Sequence, residues 1–128
     1  MNDIKLMNKA ADNIRILAAS MVEKAKSGHP GGAMGGADFV NVLFSEFLVY
    51  DPKNPAWEGR DRYFQDPGHM SPMLYSVLAL AGKFTIDELK EFRQWGSVTP
   101  GHPEVNVMRG IENTSGPLGQ GHTYAVGA

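Results

Sequence analysis

The sequence predicts an α/β protein in which helices dominate and most of the parallel sheet is lacking. Three observations carry this expectation. Apolar residues recur at three- and four-residue spacing in several segments, only one short segment could serve as a strand, and four Gly-His pairs lie in or beside Gly- and Pro-rich connections.

Met7, Ala10, Ile14, Leu17, Ala18, Met21, Val22 and Ala25 share one face over roughly residues 4 to 26, which predicts an amphipathic helix. Lys24 and Lys26, followed by Gly28, supply its stop. A turn from His29 to Gly32 then leads to a second helix, about Gly36 to Leu48, with Phe39, Val40, Leu43, Phe44 and Phe47 on its apolar side. Asp51-Pro52-Lys53-Asn54-Pro55 ends it. Tyr63-Phe64-Gln65 is the strand candidate, but Asp66-Pro67-Gly68 follows at once and cannot extend a central ladder, so it predicts a small piece of a larger sheet.

Ser71-Pro72 places a cap residue ahead of a proline at the first helical position, opening a helix through Met73, Leu74, Val77, Leu78 and Ala81 to Gly82. Thr85-Ile86-Asp87-Glu88 reads as a capping box before a short helix that buries Leu89 and Phe92. Residues 96 to 121 are dense in Gly and Pro with hardly any periodicity, and a loop of that length in a compact chain is usually functional or disordered. A further helix begins after Gly121 and reads as an element cut short at Ala128. The expectation is one face of a larger α/β unit, with its core completed by the rest of a chain or by another chain.

Composition narrows the function. With 12 Lys+Arg against 14 Asp+Glu the net charge is -2, which gives no reason to expect nucleic acid or an anionic membrane as a partner. No Cys means no disulfide framework and no thiolate chemistry, in keeping with a reducing cytoplasm. Met1-Asn2-Asp3-Ile4-Lys5 lacks a signal peptide's basic start, and no apolar run is long enough for a membrane span, so an intracellular, cytoplasmic protein is expected.

Every histidine follows a glycine: Gly28-His29, Gly68-His69, Gly101-His102 and Gly121-His122. Independent placement would give this pattern roughly twice in ten thousand chains of this composition. Glycine permits tight turns and close backbone approach, while imidazole donates, accepts or carries charge near neutral pH. Several such loops converging would form a polar pocket.

Ser27-Gly28-His29-Pro30-Gly31-Gly32 alone reads more simply as a helix-to-helix turn with an exposed ring. His102, between Pro100 and Pro103, has stiff flanks that hold the ring in one orientation. His69 precedes a helix start, where free amides and the helix dipole favour an anion, and it is the phosphate candidate on physical grounds. Gly116-Pro117-Leu118-Gly119-Gln120-Gly121 could wrap a cofactor, although it matches neither a Walker loop nor a dinucleotide fingerprint. No two histidines lie within five residues and no His-Glu-x-x-His occurs, so no metal site is assigned. No Gly-x-Ser-x-Gly elbow occurs either. Phe39, Phe44, Phe47, Tyr63, Phe64, Phe92 and Trp95 are expected in the core or at an interface, and Arg60-Asp61-Arg62 in a solvated or ion-paired turn.

Taken in order, Lys26-Ser27-Gly28-His29-Pro30-Gly31, Met34-Gly35, Ala37-Asp38, Asn54-Pro55, Arg60-Asp61-Arg62, Gly68-His69, Phe92-Arg93-Gln94, Thr99 to Glu104 and Gly116 to Gly121 resemble the start of the transketolase family, over about Asn13 to Val126. The resemblance implies residues 1–128 as an incomplete N-terminal portion of a thiamine-diphosphate-binding fold. It implies transfer of a two-carbon ketol unit from a ketose phosphate to an aldose phosphate, in the pentose phosphate pathway. By resemblance His29 and His102 would act catalytically on the substrate, His69 would bind the diphosphate, and Gly116, Pro117 and Leu118 would line the thiamine. A divalent cation, magnesium or calcium, would take its ligands from a Gly-Asp-Gly segment outside these residues. Sugar phosphates, the rest of the transketolase chain or a complementary subunit, and a homodimeric partner are the expected associates. The isolated chain is expected to be inactive, and a non-catalytic fragment or interaction module is the alternative.

The sequence departs from the family at two places. Gln65-Asp66-Pro67 precedes Gly68 where a Ser-x-Gly-type lead-in is usual, with Met70 following His69 in place of a small residue. His122, Thr123 and Tyr124 follow Gly-Gln-Gly where Ile or Leu and small residues are usual, and the resemblance assigns His122 no role.

Overall fold

The computed structural model describes residues 2–128, so Met1 of the N-terminal segment considered above lies outside them. Helix α1, Ile4–Ala25, follows the predicted spacing, with Ala11, Ile14, Ala18 and Met21 as its buried stripe. Asp3 caps it by accepting from the amides of Lys5 and Leu6 at 2.8 and 3.1 Å. Its stop is Lys26, in the left-handed region at φ 50°, two residues before the expected glycine.

The second helical segment differs from expectation. Helix α2, Pro30–Gly35, begins where a turn was predicted, and α3, Ala37–Val42, runs on into a π-helical turn at Leu43–Phe47. Proline at the first position presets the helical φ, which outweighs the poor intrinsic propensity of Gly31 and Gly32. Packing supplies the rest. A Cβ at Gly32 would come 3.0 Å from the Met70 side chain, and one at Gly36 would come 2.5 Å from the sulfur of Met73.

Helix α4, Ser71–Leu80, is the centre of the molecule. Its first eight residues, Ser71 to Leu78, are all buried, so it is a core rod surrounded by other elements. The Ser71 hydroxyl does not cap this helix as expected; it donates to the carbonyl of Gly101 at 2.7 Å. Ile14, Val40, Phe44, Leu74, Tyr75 and Leu78 belong to one apolar cluster, with Phe84, Leu89, Phe92 and Ile111 packed into the same core. Each such aliphatic or aromatic side chain stabilises the fold by about 1.5–3 kcal/mol on burial. Short helix α5, Ile86–Lys90, carries the predicted capping box in full, Thr85 and Glu88 satisfying one another's backbone amides. Helix α6, Gln120–Gly127, starts within the expected Gly-rich segment.

Tyr63-Phe64-Gln65 is not a strand, and the β-structure among the described residues is a single antiparallel bridge, Asn106 to Ile111. The reason is local. The Asn113 side chain accepts from the amide of Gln65 at 3.0 Å and donates to its carbonyl at 3.3 Å, replacing the partners that a neighbouring strand would offer. The α/β class therefore appears here as its helix-rich part with almost no sheet.

The aromatic set divides between core and surface. Phe44 and Phe92 are buried and Tyr63 sits edge-on to Phe44 at 5.4 Å, whereas Phe39, Phe47 and Trp95 are exposed. Arg60 forms a bidentate pair with Glu112 at 2.7 and 3.0 Å, both side chains only 10% exposed, so the ion-paired reading of this turn holds. No helix of the described residues is long and apolar enough to cross a membrane.

Candidate functional site

Three of the four Gly-His pairs converge. His29 is the residue immediately before α2, with extended backbone that points the chain out of the preceding turn. His69 lies in a 3-10 turn, Gly68–Met70, that runs directly into α4. The two rings are tilted against one another with centroids 4.8 Å apart. Gly68 is the hub, since a Cβ there would meet the Ser115 hydroxyl at 2.8 Å and the His102 ring at 3.1 Å. Only glycine lets these segments close on each other.

The His102 loop has no regular structure, yet it is fixed from several sides. Ser71 donates to Gly101, the Tyr75 hydroxyl donates to the carbonyl of Pro100 at 2.8 Å, and the Thr99 hydroxyl donates to the carbonyl of Glu88 at 3.0 Å. The amide of Ser115 donates to Pro103 at 3.0 Å, drawing the Gly116 segment alongside. Burial raises the Tyr75 hydroxyl well above its ordinary pKa and keeps it a donor.

Arg93 is a strut between two of these loops. Its guanidinium donates to the Ser27 hydroxyl at 2.9 Å, and a Cβ at Gly101 would lie 2.9 Å from its Nε. The residue itself holds a positive φ of 63°, uncommon outside glycine, and its amide donates to Thr99 at 3.0 Å. Burial first, then the charge of Arg93 and the neighbouring His69 and His29, hold the His102 imidazole below its ordinary pKa. Near neutral pH it is a neutral ring that can both donate and accept.

Gly116 is half-buried next to Ser115, and Pro117 and Leu118 are exposed. A Cβ at Gly116 would meet nothing within 4 Å, and Leu118 is 71% exposed. This segment therefore offers open backbone and one apolar side chain beside the polar rings of His29 and His69. Two buried polar atoms border the cluster without a partner, Ser115 Oγ and Arg93 Nε. Unsatisfied donors of this kind are costly unless a ligand or water meets them, so the residues present fit a polar cofactor. Among the described residues no group of three or more His, Asp or Glu could hold a metal ion.

His122 does not enter the histidine cluster. It pairs instead with Asp66, just ahead of the His69 turn, Nδ1 to Oδ2 at 3.0 Å. Asn113, Ser115 and Arg93 also shape the site. Arg93 carries a sequence signal only as part of Phe92-Arg93-Gln94, and nothing in the spacing marks Ser115, or Asn113 as a backbone clamp.

The chain is similar to known proteins over nearly its whole length. The family model "Transketolase, thiamine diphosphate binding domain" matches residues 6–128. A transketolase of Buchnera aphidicola is 54% identical over 123 residues, 95% of this chain and 18% of that protein. The chloroplastic transketolase-1 of Arabidopsis thaliana is 52% identical over 127 residues, 98% of this chain and 17% of that protein. Among solved structures, a transketolase from Campylobacter jejuni superposes with a TM-score of 0.92 at 48% identity, covering 98% of this chain and 20% of that one. The chain thus spans about a fifth of the length of the relatives it matches.

Proposed function

This chain belongs to the transketolase family, in the part described as its thiamine-diphosphate-binding domain, and from that membership we propose that it forms one wall of a ketol-transfer site. Residues 1–128 are proposed as an N-terminal portion of that domain. The reaction moves a two-carbon ketol unit from a ketose phosphate to an aldose phosphate. Thiamine diphosphate, when bound, supplies the chemistry that breaks and remakes a carbon–carbon bond beside a carbonyl.

His69 holds the diphosphate through its imidazole, in a turn that runs directly into α4 and lies against the His29 ring. His29, its ring tilted against that of His69, meets the substrate's hydroxyl end and moves a proton there. His102 hydrogen-bonds near the substrate carbonyl, and the burial and positive charge that keep it neutral suit a group that must donate and accept. Gly116, Pro117 and Leu118 line the thiamine. A divalent cation, magnesium or calcium, takes its ligands from residues other than these.

The convergence of His29, His69 and His102 on Gly68 is the observation that carries this reading. Sugar phosphates as substrates are supported by a related transketolase of Pichia stipitis, 45% identical, solved in complex with sedoheptulose-7-phosphate. Membership of the pentose phosphate pathway, a homodimer completed by further chain, and a cytoplasmic location belong to the same proposal. The non-catalytic alternative is not favoured by relatives near 50% identity that carry the transketolase name.

The test uses the complete enzyme containing these residues, supplied with thiamine diphosphate, magnesium, a ketose phosphate and an aldose phosphate. A new pair of sugar phosphates differing from the first by two carbons is expected, and only with cofactor present. His69→Ala is expected to weaken cofactor binding by about tenfold or more, while His102→Ala lowers kcat by roughly 10²-fold or more. No product from the loaded wild-type enzyme would sink the reading.

A further inference from the structure

The fourth Gly-His pair, outside the histidine cluster, has a contact of its own. Asp66 stands two residues ahead of Gly68 and the His69 turn, and His122 lies in the first turn of α6, directly after the Gly116–Gly121 segment. Their side chains meet at 3.0 Å. A carboxylate only accepts, so the imidazole Nδ1–H is the donor.

The contact is close-packed. A Cβ at Gly121 would lie 2.5 Å from the Asp66 Cβ and 3.2 Å from the carbonyl of Gln65, so the glycine before His122 is what allows the helix to touch the loop. Burial is uneven, the Asp66 side chain being 7% exposed and that of His122 81%. Asp66 is the partner that depends on the bond. A buried carboxylate left unpaired is costly anywhere, and here it stands beside a turn that must receive a dianionic group. The exposed imidazole, if left alone, is met by water.

We propose that Asp66 and His122 are a pair of positioning residues for the cofactor: His122 engages the Asp66 carboxylate beside the diphosphate turn and ties that turn to the segment lining the thiamine. The inference rests on the assignment of His69 to the diphosphate. It also gives the fourth Gly-His pair a task that the ketol-transfer residues leave open.

An unequal double-mutant cycle tests this in the complete enzyme, reading thiamine diphosphate affinity at fixed magnesium by fluorescence titration, kcat at saturating cofactor, and the melting temperature of the cofactor-free protein. His122→Leu strands the carboxylate and is expected to weaken cofactor binding by about tenfold, whereas Asp66→Ser weakens it only about twofold. The double variant is expected to bind more tightly than His122→Leu alone, within about threefold of wild type. His122→Asn, which keeps a donor, restores most of the affinity and stands in if the leucine variant does not fold. Throughout, kcat at saturating cofactor stays within about twofold, because the pair does not touch reacting atoms.

A merely structural contact would lower the melting temperature of the cofactor-free His122→Leu protein while its affinity for thiamine diphosphate stays at the wild-type value, and that result overturns the proposal. Failure of the wild-type enzyme to bind cofactor removes the underlying assignment of His69 and this inference with it, while wild-type binding with a flat or additive cycle removes this inference alone.

Discussion

At the scale of single residues, the chemistry of the site depends on what surrounds His102. Burial is the larger cause of its lowered pKa and the Arg93 charge the next, so both favour the neutral ring. Replacing Arg93 by Gln removes the charge and leaves most of the packing. The His102 titration midpoint, followed by NMR of the imidazole resonances, is expected to move upward without fully reaching the ordinary value of about 6.5, since burial persists. An unmoved or lowered midpoint would show that Arg93 does not set the charge state. The same variant loses the hydrogen bond to Ser27, so mobility of the Gly28-His29 turn should increase. His29, His69 and His102 were legible as candidates because glycine and histidine recur together. Arg93 was not, because its role comes from a backbone turn at positive φ that no local pattern announces.

At the scale of elements, α1 and α5 were legible to within a residue or two because their signals are local: an apolar stripe in one, a capping box in the other. Glu88 does double duty in α5. It accepts from the Thr85 amide at 2.8 Å and from Arg109 at 2.7 Å, and these bonds, the Arg109 one foremost, bring its pKa down to about 2. A carboxyl whose folded pKa lies below its unfolded value stabilises the fold fully above the unfolded value near 4.5, and that contribution is lost as pH falls towards 2. Glu88→Gln is therefore expected to lower stability by about 1 kcal/mol at neutral pH, with the difference from wild type closing near pH 2 in urea unfolding. A difference that persists undiminished at pH 2 would assign the effect to packing. The split of the second helix into α2 and α3, and the absence of a strand at 63–65, were not legible. Both follow from side chains distant in sequence: Met70 and Met73 beneath the glycines, and Asn113 across from Gln65.

At the scale of the whole molecule, the core and the surface make different statements. The buried cluster around α4 is continuous, yet Phe47, Leu118 and Val126 are 70%, 71% and 89% exposed and Trp95 is fully so. These side chains leave apolar surface open to water. The 128-residue chain by itself is expected to bind an apolar-surface dye such as ANS. If His69 holds the diphosphate as proposed, one imidazole is a weak hold on a multiply charged anion, and these residues alone are expected to show no saturable micromolar binding of thiamine diphosphate with magnesium in calorimetry. Tight binding by this chain alone would show that the cation's protein ligands contribute little to holding the cofactor.

The sequence by itself determined the helical segments with strong periodicity, the lack of sheet, and the family, through glycine–histidine blocks whose order and spacing are one-dimensional properties. Tertiary structure alone decided which histidines meet. Glycine's missing side chain is visible in a sequence, but the atom that comes to fill its place is not. At Gly68 the Ser115 hydroxyl and the His102 ring are the neighbours, and at Gly121 it is Asp66, which separates three clustered histidines from a fourth that holds the loop before them.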